Sequence, residues 1–562
     1  MQSAEKERKD PALGTRNSAE AGRAIDHLPA WQNQTLILPL MVSTDTTNAA
    51  SLGSSRRRVI ITFLIAGLLA FASKGFLSAY SYWGDEIFSV IGSKYSWGSL
   101  IPTWVMKGDV HPPLYHILLK GWMDLFGDSE IATRSLSFLC GSAAIIMLAL
   151  FTAKRSFIYQ LMAVLLLGTS PAFAYYMQET RSYALVLLLA MALTICSLDL
   201  RTRAFHSQQH DSRCISLYYI LSIALSLTHY FGWILVFCFT LINLGEARIE
   251  TRRWKSIALL VLISIWPAIH VLYGSLGEKT GGNFWIESGT PILSSINNML
   301  LGVFPLVLVS REPLRLLLLA GVIIFLVRYG RPLLTPLADL PTAPRRWTWL
   351  PLTETAFLAL TITLFVGLLI VIDFSTPMST PRNYIVLLPS VVFLLAGIFD
   401  HAIAHATSRE KKFLFVVAAV LLLVQLYASQ MGLREKATPR ENWKGLAEIV
   451  KSTSLCRDGC YSDRANTYFT YYFQPSDLIP LPNIAPGDTA TMKDFLAEAI
   501  RRDKSFMLLD KTFLNDTSIH RTLKASHVCL EPRQAVEGPV LVVPSSRSAV
   551  LLEKGLLPCR KG

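Results

Sequence analysis

The chain has 562 residues, of which 52% are hydrophobic and 17% are charged, and its formal net charge is +13. The apolar residues form runs of roughly 20 residues, the length that a membrane-spanning helix needs, which indicates an integral membrane protein. The positive charge is spread over short loops between apolar runs and forms no contiguous basic face, so we predict no nucleic-acid partner.

The first segment, residues 1–58, is polar and rich in Ser, Thr and Ala, and it ends in three consecutive arginines. This composition predicts a disordered cytoplasmic tail without a cleavable signal peptide. The first apolar span follows at residues 59–80. Because basic residues favour the cytoplasmic side, the loop after this span is predicted to face outward.

Residues 81–130 are mixed in character and predict helices that lie in the membrane interface, one of them beginning at Pro113. Basic residues then fall in every second connection between apolar runs, which is consistent with alternating crossings. Residues 291–328 leave one or three crossings open, so the prediction is about eleven or thirteen spans. The spans outside that region are predicted at 131–153, 157–174, 183–199, 215–228, 231–245, 256–274, 354–373, 383–400 and 413–429.

Residues 435–562 are more polar and combine helical patterns with short strand-like runs at 506–509 and 540–543. The predicted fold is therefore an all-α polytopic membrane domain, residues 59–430, followed by a small extracytoplasmic α/β domain. Four cysteines lie in this last region, where an oxidising compartment favours one or two disulfides over a zinc site. They are Cys456, Cys460, Cys529 and Cys559.

Two adjacent carboxylates, Asp85 and Glu86, begin the first outward loop at the predicted membrane surface. A carboxylate in a partly desolvated cleft can act as a general base and remove the proton of a hydroxyl group. The same residues also have a structural interpretation, because Gly-Asp-Glu before an apolar run is typical of a helix start.

The same loop continues to Asp109 and His111, which precede two prolines that suit the first turn of a helix. An Asp and a His at membrane depth are costly and are typically functional, although a capped helix is the alternative. Arginines on this side could bind a phosphate or reach lipid headgroups. The further candidate residues in outward connections are Glu179, Arg181, Tyr183, His229, Tyr230, Arg382 and Tyr384.

Four motifs follow one another along the chain: Trp83-Gly84-Asp85-Glu86, Asp109-Val110-His111-Pro112-Pro113-Leu114-Tyr115, Phe126-Gly127-Asp128-Ser129-Glu130 with Arg134, and Gln178-Glu179-Thr180-Arg181-Ser182-Tyr183. In this order they resemble the motifs of the GT-C membrane glycosyltransferases. Residues 59–235 carry them and are similar to bacterial relatives of protein O-mannosyltransferases and of the lipid A aminoarabinose transferase. Arg382-Asn383-Tyr384 and Glu441-Asn442-Trp443 fit more loosely.

The resemblance implies an inverting transfer of sugar from a polyprenyl-phosphate donor on the outer face of a bacterial inner membrane. It implies Asp85 as the catalytic base with Glu86 beside it, and places Asp109 and His111 in the donor or acceptor pocket. The acceptor stays open between a glycolipid, a polysaccharide and a protein. A divalent metal could assist, although no ligand spacing requires one.

Two departures from the family pattern leave the fine specificity open. Thr180 stands where many relatives have alanine, and Asn383 stands where relatives often have an aromatic or aliphatic residue beside the arginine. Neither departure removes the carboxylates.

Other functions remain to be compared with this interpretation. A transporter or flippase typically has ionisable groups in broken helices near the bilayer midplane and an internal repeat, whereas the candidate residues here gather at the outward ends of spans. A polysaccharide polymerase or ligase generally has a large outward loop with arginines. A membrane protein that only binds a partner would use the C-terminal domain for docking.

Overall fold

The computed structural model describes the helical part of the chain in nearly continuous stretches and the C-terminal part in shorter ones. All contacts reported below lie in one compact unit, Ser55–Gly562. The described residues are 48–73, 80–206, 212–246, 250–273, 298–299, 324–330, 353–375, 378–437, 442–453, 460–462, 471–473, 478–480, 491, 494–495, 497–498, 507–509, 527–532, 540–554 and 556–558.

The first half of the chain forms eleven helices in the described residues, with a π-helical turn at Leu100–Val105 after the third. The short helices α2, α3 and α4 precede the long apolar helix α5. The helices are α1 (Asn48–Ala72), α2 (Gly84–Ser93), α3 (Trp97–Ser99), α4 (Leu114–Phe126), α5 (Glu130–Thr152), α6 (Phe157–Gly168), α7 (Pro171–Tyr176), α8 (Tyr183–His206), α9 (Ser212–Ser226), α10 (Tyr230–Glu246) and α11 (Glu250–Tyr273).

The described part of the second half begins with a π-helical turn at Leu326–Gly330, and a 3-10 turn at Pro381–Leu387 leads into the longer helix α13. The helices are α12 (Glu354–Ser375), α13 (Leu388–His405), α14 (Ser408–Ala437), α15 (Trp443–Thr453) and α16 (Ser545–Glu553). The strands are β1 (Cys460–Ser462), β2 (Leu478–Pro480), β3 (Met507–Leu509), β4 (His527–Pro532), β5 (Val540–Pro544) and β6 (Leu556–Pro558).

Six described helices are long and apolar enough to cross a membrane, namely α5, α8, α11, α12, α13 with its preceding turn, and α14. Three shorter apolar helices, α6, α9 and α10, accompany them. The chain is a multi-pass integral membrane protein. The predicted total of eleven or thirteen spans depends on residues 291–328, most of which lie outside the described residues.

Most apolar runs of the sequence correspond closely to these helices, with two clear differences. Helix α1 begins at Asn48, so residues 48–58, predicted as part of a disordered tail, are helical, and Arg57 among them contacts Gln160. The predicted span at 157–174 is divided, since α6 ends at Gly168 and α7 begins at Pro171. Proline has no backbone N–H to continue a helix but suits the first helical position, so Pro171 starts a new helix.

Helix α8 lies at the centre of the membrane bundle and packs against α5, α9, α13 and the 3-10 turn. Its residues Ala190 and Leu193 are fully buried. Close approach beside it depends on Gly141 of α5, where an added Cβ would lie 2.8 Å from the Cβ of Met177. Helix α11 instead exposes large apolar side chains such as Val261, as expected of a helix that faces lipid.

Polar contacts join the helices at the end where α5 finishes and α12 begins. Arg155 pairs with Glu354 at 2.6 Å, and Thr202 donates to the same carboxylate at 3.0 Å. Arg57 donates to Gln160 at 2.6 Å. These residues come from connections or helix ends that carry the basic residues predicted to face the cytoplasm.

The six short strands form one mixed sheet in the order β2-β1-β3-β5-β4-β6. Strand β1 pairs in parallel with β2 and β3, while β5 pairs antiparallel with β3 and β4, and β4 with β6. The division of residues 435–562 into a separate α/β domain remains a prediction. The side chains of the four cysteines in this region lie outside the described residues, as does the disulfide prediction.

Candidate active site

The predicted helix start at Asp85 and Glu86 is present as the first turn of α2. Trp83 precedes the helix in an extended conformation, and its N–H donates to Glu86 Oε2 at 3.4 Å. Carboxylates in the first turn of a helix are stabilised by unpaired N–H groups and by the positive end of the helix dipole. The structural interpretation of Gly-Asp-Glu as a helix start is therefore confirmed, and the catalytic interpretation stays a prediction.

Glu86 is buried in a network of charged and backbone donors. Arg134 of α5 donates two hydrogen bonds to it, from Nε to Oε1 at 2.8 Å and from Nη2 to Oε2 at 2.6 Å. The backbone N–H of Thr180 also donates to Oε1, at 2.9 Å. A bidentate pair of this kind is strong and directional. Glu86 thus joins α2, α5 and the connection between α7 and α8.

Asp85 has a different environment, because its side chain is 34% exposed. Its Oδ2 accepts a hydrogen bond of 2.8 Å from Arg382 Nη1. Its backbone carbonyl accepts hydrogen bonds from Arg181 at 3.2 Å and from Ser89 at 3.1 Å. Of the two adjacent carboxylates, Asp85 is the one that a substrate can reach.

Two arginines that are distant in the sequence meet beside Asp85. Arg181 is buried, its Nη1 also donates to Ser89 Oγ at 2.9 Å, and its Nε has no partner among the described residues. Burial lowers the pKa of Arg181, but the negative charge of Asp85 and other neighbours raises it overall. Arg382 lies over the ring of Tyr183, 5.9 Å from its centre. The site is therefore rich in fixed positive charge.

Asp109 is buried between two histidines. Its Oδ1 accepts from the backbone of Val110 at 2.6 Å and lies 2.8 Å from His111 Nδ1, while Oδ2 contacts His116 Nε2. Burial raises the pKa of Asp109, but the two histidines lower it more, to well below its usual value. His111 keeps a 21% exposed side chain, so Asp109 orients an imidazole that a substrate can reach.

Sequence reasoning missed His116, because it lies inside the apolar run that forms α4. Its Nδ1 is 3.4 Å from Ser93 Oγ at the end of α2. The sequence did offer one signal for His116: it lies in the first turn of the helix that follows the two prolines, five residues after His111. It joins α4 and α2 through one imidazole ring.

His229 packs against His111, with ring centres 5.1 Å apart. The backbone N–H of Phe231 donates to its Nδ1 at 3.2 Å, so the neutral ring carries its proton on Nε2. Nε2 has no partner among the described residues. Burial, together with the positive charges of His111, Arg181 and Arg382, lowers the pKa of His229 well below its usual value. His229 therefore presents a neutral N–H donor.

Three further predicted residues, Tyr230, Glu179 and Tyr384, contact residues other than Asp85. Tyr230 Oη is 2.6 Å from Nδ1 of His270, a buried residue of α11 that sequence reasoning also missed. Glu179 is buried and accepts from Trp83 Nε1 at 2.9 Å. Tyr384 is fully buried in the core of the membrane helices, where its ring packs against Phe365.

The described residues contain no group of three His, Cys, Asp or Glu side chains that could hold a metal ion. The candidate carboxylates Asp85 and Glu86 each pair with an arginine instead. These residues do not by themselves form a ligand set for a divalent cation.

No protein-family model matches the sequence, and no curated protein matches it. Among solved structures, the fold is similar to ArnT from Cupriavidus metallidurans bound to undecaprenyl phosphate. The TM-score is 0.52 and the identity is 12%, and the match covers 86% of this chain and 97% of ArnT. For apo ArnT the TM-score is 0.50 and the identity 11%, over 88% and 98% of the two chains.

The chain has the fold of ArnT. ArnT is a GT-C membrane glycosyltransferase, so the family resemblance carried by the four motifs is confirmed at the level of the fold. A further match is the archaeal oligosaccharyltransferase AglB from Archaeoglobus fulgidus, in complex with an inhibitory peptide and a dolichol-phosphate. Its TM-score is 0.41 and its identity 13%, over 86% of this chain and 74% of AglB.

In this ArnT-like fold, the candidate site lies where the first residues of several helices meet. Asp85 begins α2, His111 precedes α4, Arg181 precedes α8 and His229 precedes α10, and Arg382 comes from the 3-10 turn. Asp85 is hydrogen-bonded to both arginines, and the rings of His111 and His229 pack together. Tyr183 packs against both Arg382 and His229 and so links the two groups. The site thus combines an accessible carboxylate, two guanidinium groups and two imidazoles.

Proposed function

We propose that this protein is a membrane glycosyltransferase that moves a sugar from a polyprenyl-phosphate carrier to an acceptor, with Asp85 as the general base. The observation that carries the proposal is the partly exposed carboxylate of Asp85, a residue that is hydrogen-bonded to Arg181 and Arg382. The ArnT-like fold supports it, because one ArnT structure holds undecaprenyl phosphate.

Each part of the site has a role in this reaction. Asp85 removes the proton of the acceptor hydroxyl as its oxygen forms a bond to the anomeric carbon of the sugar. The bond from that carbon to the phosphate oxygen breaks at the same time, and polyprenyl phosphate leaves. A displacement in one step inverts the anomeric configuration.

The leaving phosphate needs positive charge, and the two arginines can supply it. Guanidinium groups bind phosphate oxygens through directional hydrogen bonds, and their charge stabilises the leaving group as it becomes more negative. Arg181 has an Nε donor without a partner among the described residues. His111 and His229 add imidazole groups near the arginines, and the guanidinium group of Arg382 lies over the ring of Tyr183.

Glu86 is a positioning residue in this proposal, since its carboxylate is buried and bound by Arg134 and Thr180. Asp109 has the same kind of role for His111. The inverting mechanism, the acceptor class and any assistance by a divalent metal are open to test. The acceptor is a glycolipid, a polysaccharide or a protein.

We further propose that the site faces the non-cytoplasmic side of a bacterial inner membrane. The Arg155–Glu354 cluster lies at the opposite ends of the helices and contains the charges predicted to be cytoplasmic. In this arrangement the predicted cytoplasmic segment, residues 1–58, includes the start of α1 and the contact of Arg57 with Gln160. Residues 59–430 form the catalytic membrane domain, and residues 435–562 form an extracytoplasmic α/β domain.

The test is sugar transfer by the full chain in lipid nanodiscs, with a panel of polyprenyl-phosphate sugars and acceptors. We expect release of polyprenyl phosphate to fall about 10²- to 10⁴-fold in Asp85→Asn, the usual contribution of a general base. Asp124→Asn is the matched control, because Asp124 is an exposed carboxylate that pairs with Lys120 on α4. Equal rates in Asp85→Asn and the unmodified chain would move the base to another residue.

The alternative function, a transporter or flippase, predicts a different result in the same preparation. A transporter would carry lipid-linked or small substrates across sealed vesicles and would transfer no sugar from any donor. Flux without release of polyprenyl phosphate would therefore replace the transferase proposal.

A further inference from the structure

The C-terminal part of the chain reaches back to the segment that precedes α2. Tyr472 is the contact residue, although it is separated from Tyr82 by 390 positions. Its hydroxyl accepts a hydrogen bond of 2.9 Å from the backbone N–H of Tyr82 and donates one of 2.9 Å to Glu130 Oε1. The rings of Tyr82 and Tyr472 also stack, with centres 6.3 Å apart. One hydroxyl thus joins the segment before α2 to the start of α5.

Arg134 of α5 also binds the segment that precedes α2. Its Nη1 donates to the carbonyl of Tyr80 at 3.2 Å and its Nη2 to that of Ser81 at 3.4 Å. Arg134 also holds Glu86, the residue next to Asp85. The segment that leads into α2 is therefore held both by Arg134 of α5 and by Tyr472.

Charge and burial strengthen this contact. Glu130 is 8% exposed and also pairs with Lys444 Nζ at 3.2 Å, while the backbone N–H of Lys444 donates to Ser81 Oγ at 3.2 Å. Burial and the charge of Glu130 raise the pKa of Tyr472 well above its usual value. The hydroxyl consequently keeps its proton and continues to donate to Glu130 at physiological pH.

Apolar packing accompanies the hydrogen bonds. Helix α15 and the turn at 471–473 share a buried cluster with α2 and α4. From the C-terminal side it contains Trp443, Leu446, Ala447, Val450 and Phe473, and from the catalytic side Tyr82, Ile87, Val90, Tyr115 and Leu119. Because these residues form one core, α15 and α2 are expected to move together.

We infer that Tyr472 is a positioning residue for the transfer reaction, and that it acts by holding the first turn of α2, and with it Asp85, in place. The inference rests on the proposed function of Asp85. It makes the C-terminal segment part of the catalytic apparatus. Displacement of a catalytic group by about 1 Å can cost a large factor in rate.

The neighbouring Tyr471 provides a matched control. Its hydroxyl donates to Asp128 Oδ2 at 3.2 Å, but the Asp128 side chain is 47% exposed and also pairs with Lys94. Removal of the Tyr471 hydroxyl leaves an exposed carboxylate that water can solvate. Removal of the Tyr472 hydroxyl leaves a buried N–H and a buried carboxylate without that partner.

The experiment compares Tyr472→Phe and Tyr471→Phe in the full chain in lipid nanodiscs. We expect kcat to fall about tenfold or more in Tyr472→Phe with the KM for the donor unchanged, and to change less than about twofold in Tyr471→Phe. In an Asp85→Asn background, Tyr472→Phe should cause no further loss, because its effect passes through Asp85. Equal losses in both tyrosine variants, a change confined to KM, or a full further loss without Asp85 would each overturn the inference.

Hydrogen exchange tests the contact without any activity. In Tyr472→Phe, the amides of residues 82–87 should exchange about tenfold faster, while those of α8 stay unchanged. If the unmodified chain transfers no sugar, the proposed function fails, and this measurement still decides whether Tyr472 holds α2. Unchanged exchange at residues 82–87 would show that it does not.

Discussion

Two adjacent residues of α2 form two ion pairs that differ in almost every physical respect. Glu86 and Arg134 are buried, with exposed side-chain fractions of 2% and 6%, and share two hydrogen bonds. Asp85 and Arg382 are 34% and 21% exposed and are joined by a hydrogen bond of 2.8 Å. The first pair holds helices together, and the second lies within reach of a substrate.

The difference teaches which carboxylate can take part in chemistry. A buried bidentate pair cannot exchange its partner without leaving a charge desolvated, so it is suited to holding structure. A partly exposed pair loses little free energy when it separates, because water can solvate either partner and a bound anion can replace the carboxylate. Arg382 can therefore turn from Asp85 to a phosphate, whereas Arg134 stays with Glu86.

The largest expected effect concerns the buried pair. Glu86→Gln leaves the Arg134 charge without its counter-charge, and we expect it to lower the free energy of unfolding by about 3–5 kcal/mol. Asp85→Asn should lower it by less, because the Asp85–Arg382 pair is partly exposed. Thermal unfolding of both variants in the same detergent measures the contrast.

A double variant supplies the control for this prediction. Glu86→Gln combined with Arg134→Gln removes both charges, so part of the lost stability should return. If the single Glu86→Gln and Asp85→Asn variants are equally stable, the two pairs do not differ as their burial indicates.

The next effect concerns substrate binding by the exposed pair. Arg382→Gln should raise the KM for the polyprenyl-phosphate donor about 10- to 100-fold, because a hydrogen bond to a charged group contributes about 1.5–3 kcal/mol. Steady-state kinetics measures it, and Arg382→Lys should give an intermediate value since it keeps the charge but loses the planar group. A fall in kcat at constant KM would contradict this prediction and would show that Arg382 acts on Asp85 and not on the donor phosphate.

The smallest expected effect is a pH dependence of stability from His229. Its pKa is lowered in the folded chain by burial and by the charges of His111, Arg181 and Arg382, against an attraction from Asp109. The unfolded chain takes up this proton near pH 6.5 and the folded chain does not. The stability it contributes is therefore present above about pH 6.5 and is lost as the pH falls below it.

Thermal unfolding between about pH 7.5 and pH 5.5 measures this loss, which we expect to be on the order of 1 kcal/mol. Asp109 does not interfere, because its lowered pKa affects stability only below its usual value of about 4. His229→Gln keeps a neutral polar side chain and should flatten the curve. An unchanged slope in that variant would assign the pH dependence to other groups.

Much of the membrane part could be predicted, because lipid imposes a simple rule on sequence. Long apolar runs must become helices that satisfy their own backbone, and α5, α8 and α12 begin within one residue of their predicted starts. Asp85 and His111 could be found for a related reason, since ionisable groups are rare beside such runs.

The family resemblance pointed to Asp85 and not Glu86 as the base, but the residues alone did not separate the two, because burial depends on helices that are distant along the chain. Arg134 lies 48 positions beyond Glu86, and Tyr472 lies 390 beyond Tyr82. His116 was hidden by its apolar neighbours in α4. Tyr384 was selected because it lies two residues after Arg382, yet residues two apart in a helical turn point in different directions, and Tyr384 lies in the core.

The space beside Gly141 affects the connection between α7 and α8, which carries Arg181. Ser137, one turn before Gly141 on α5, donates a hydrogen bond of 2.5 Å to the carbonyl of Glu179, two residues after Met177. A Cβ at position 141 would lie 2.8 Å from the Cβ of Met177, an atom attached directly to the backbone, so no rotation of the Met177 side chain could relieve the overlap. Even alanine would have to displace the loop that carries Arg181. The position of the Arg181 charge in the candidate site thus depends on the absence of one methyl group in the core of the membrane helices.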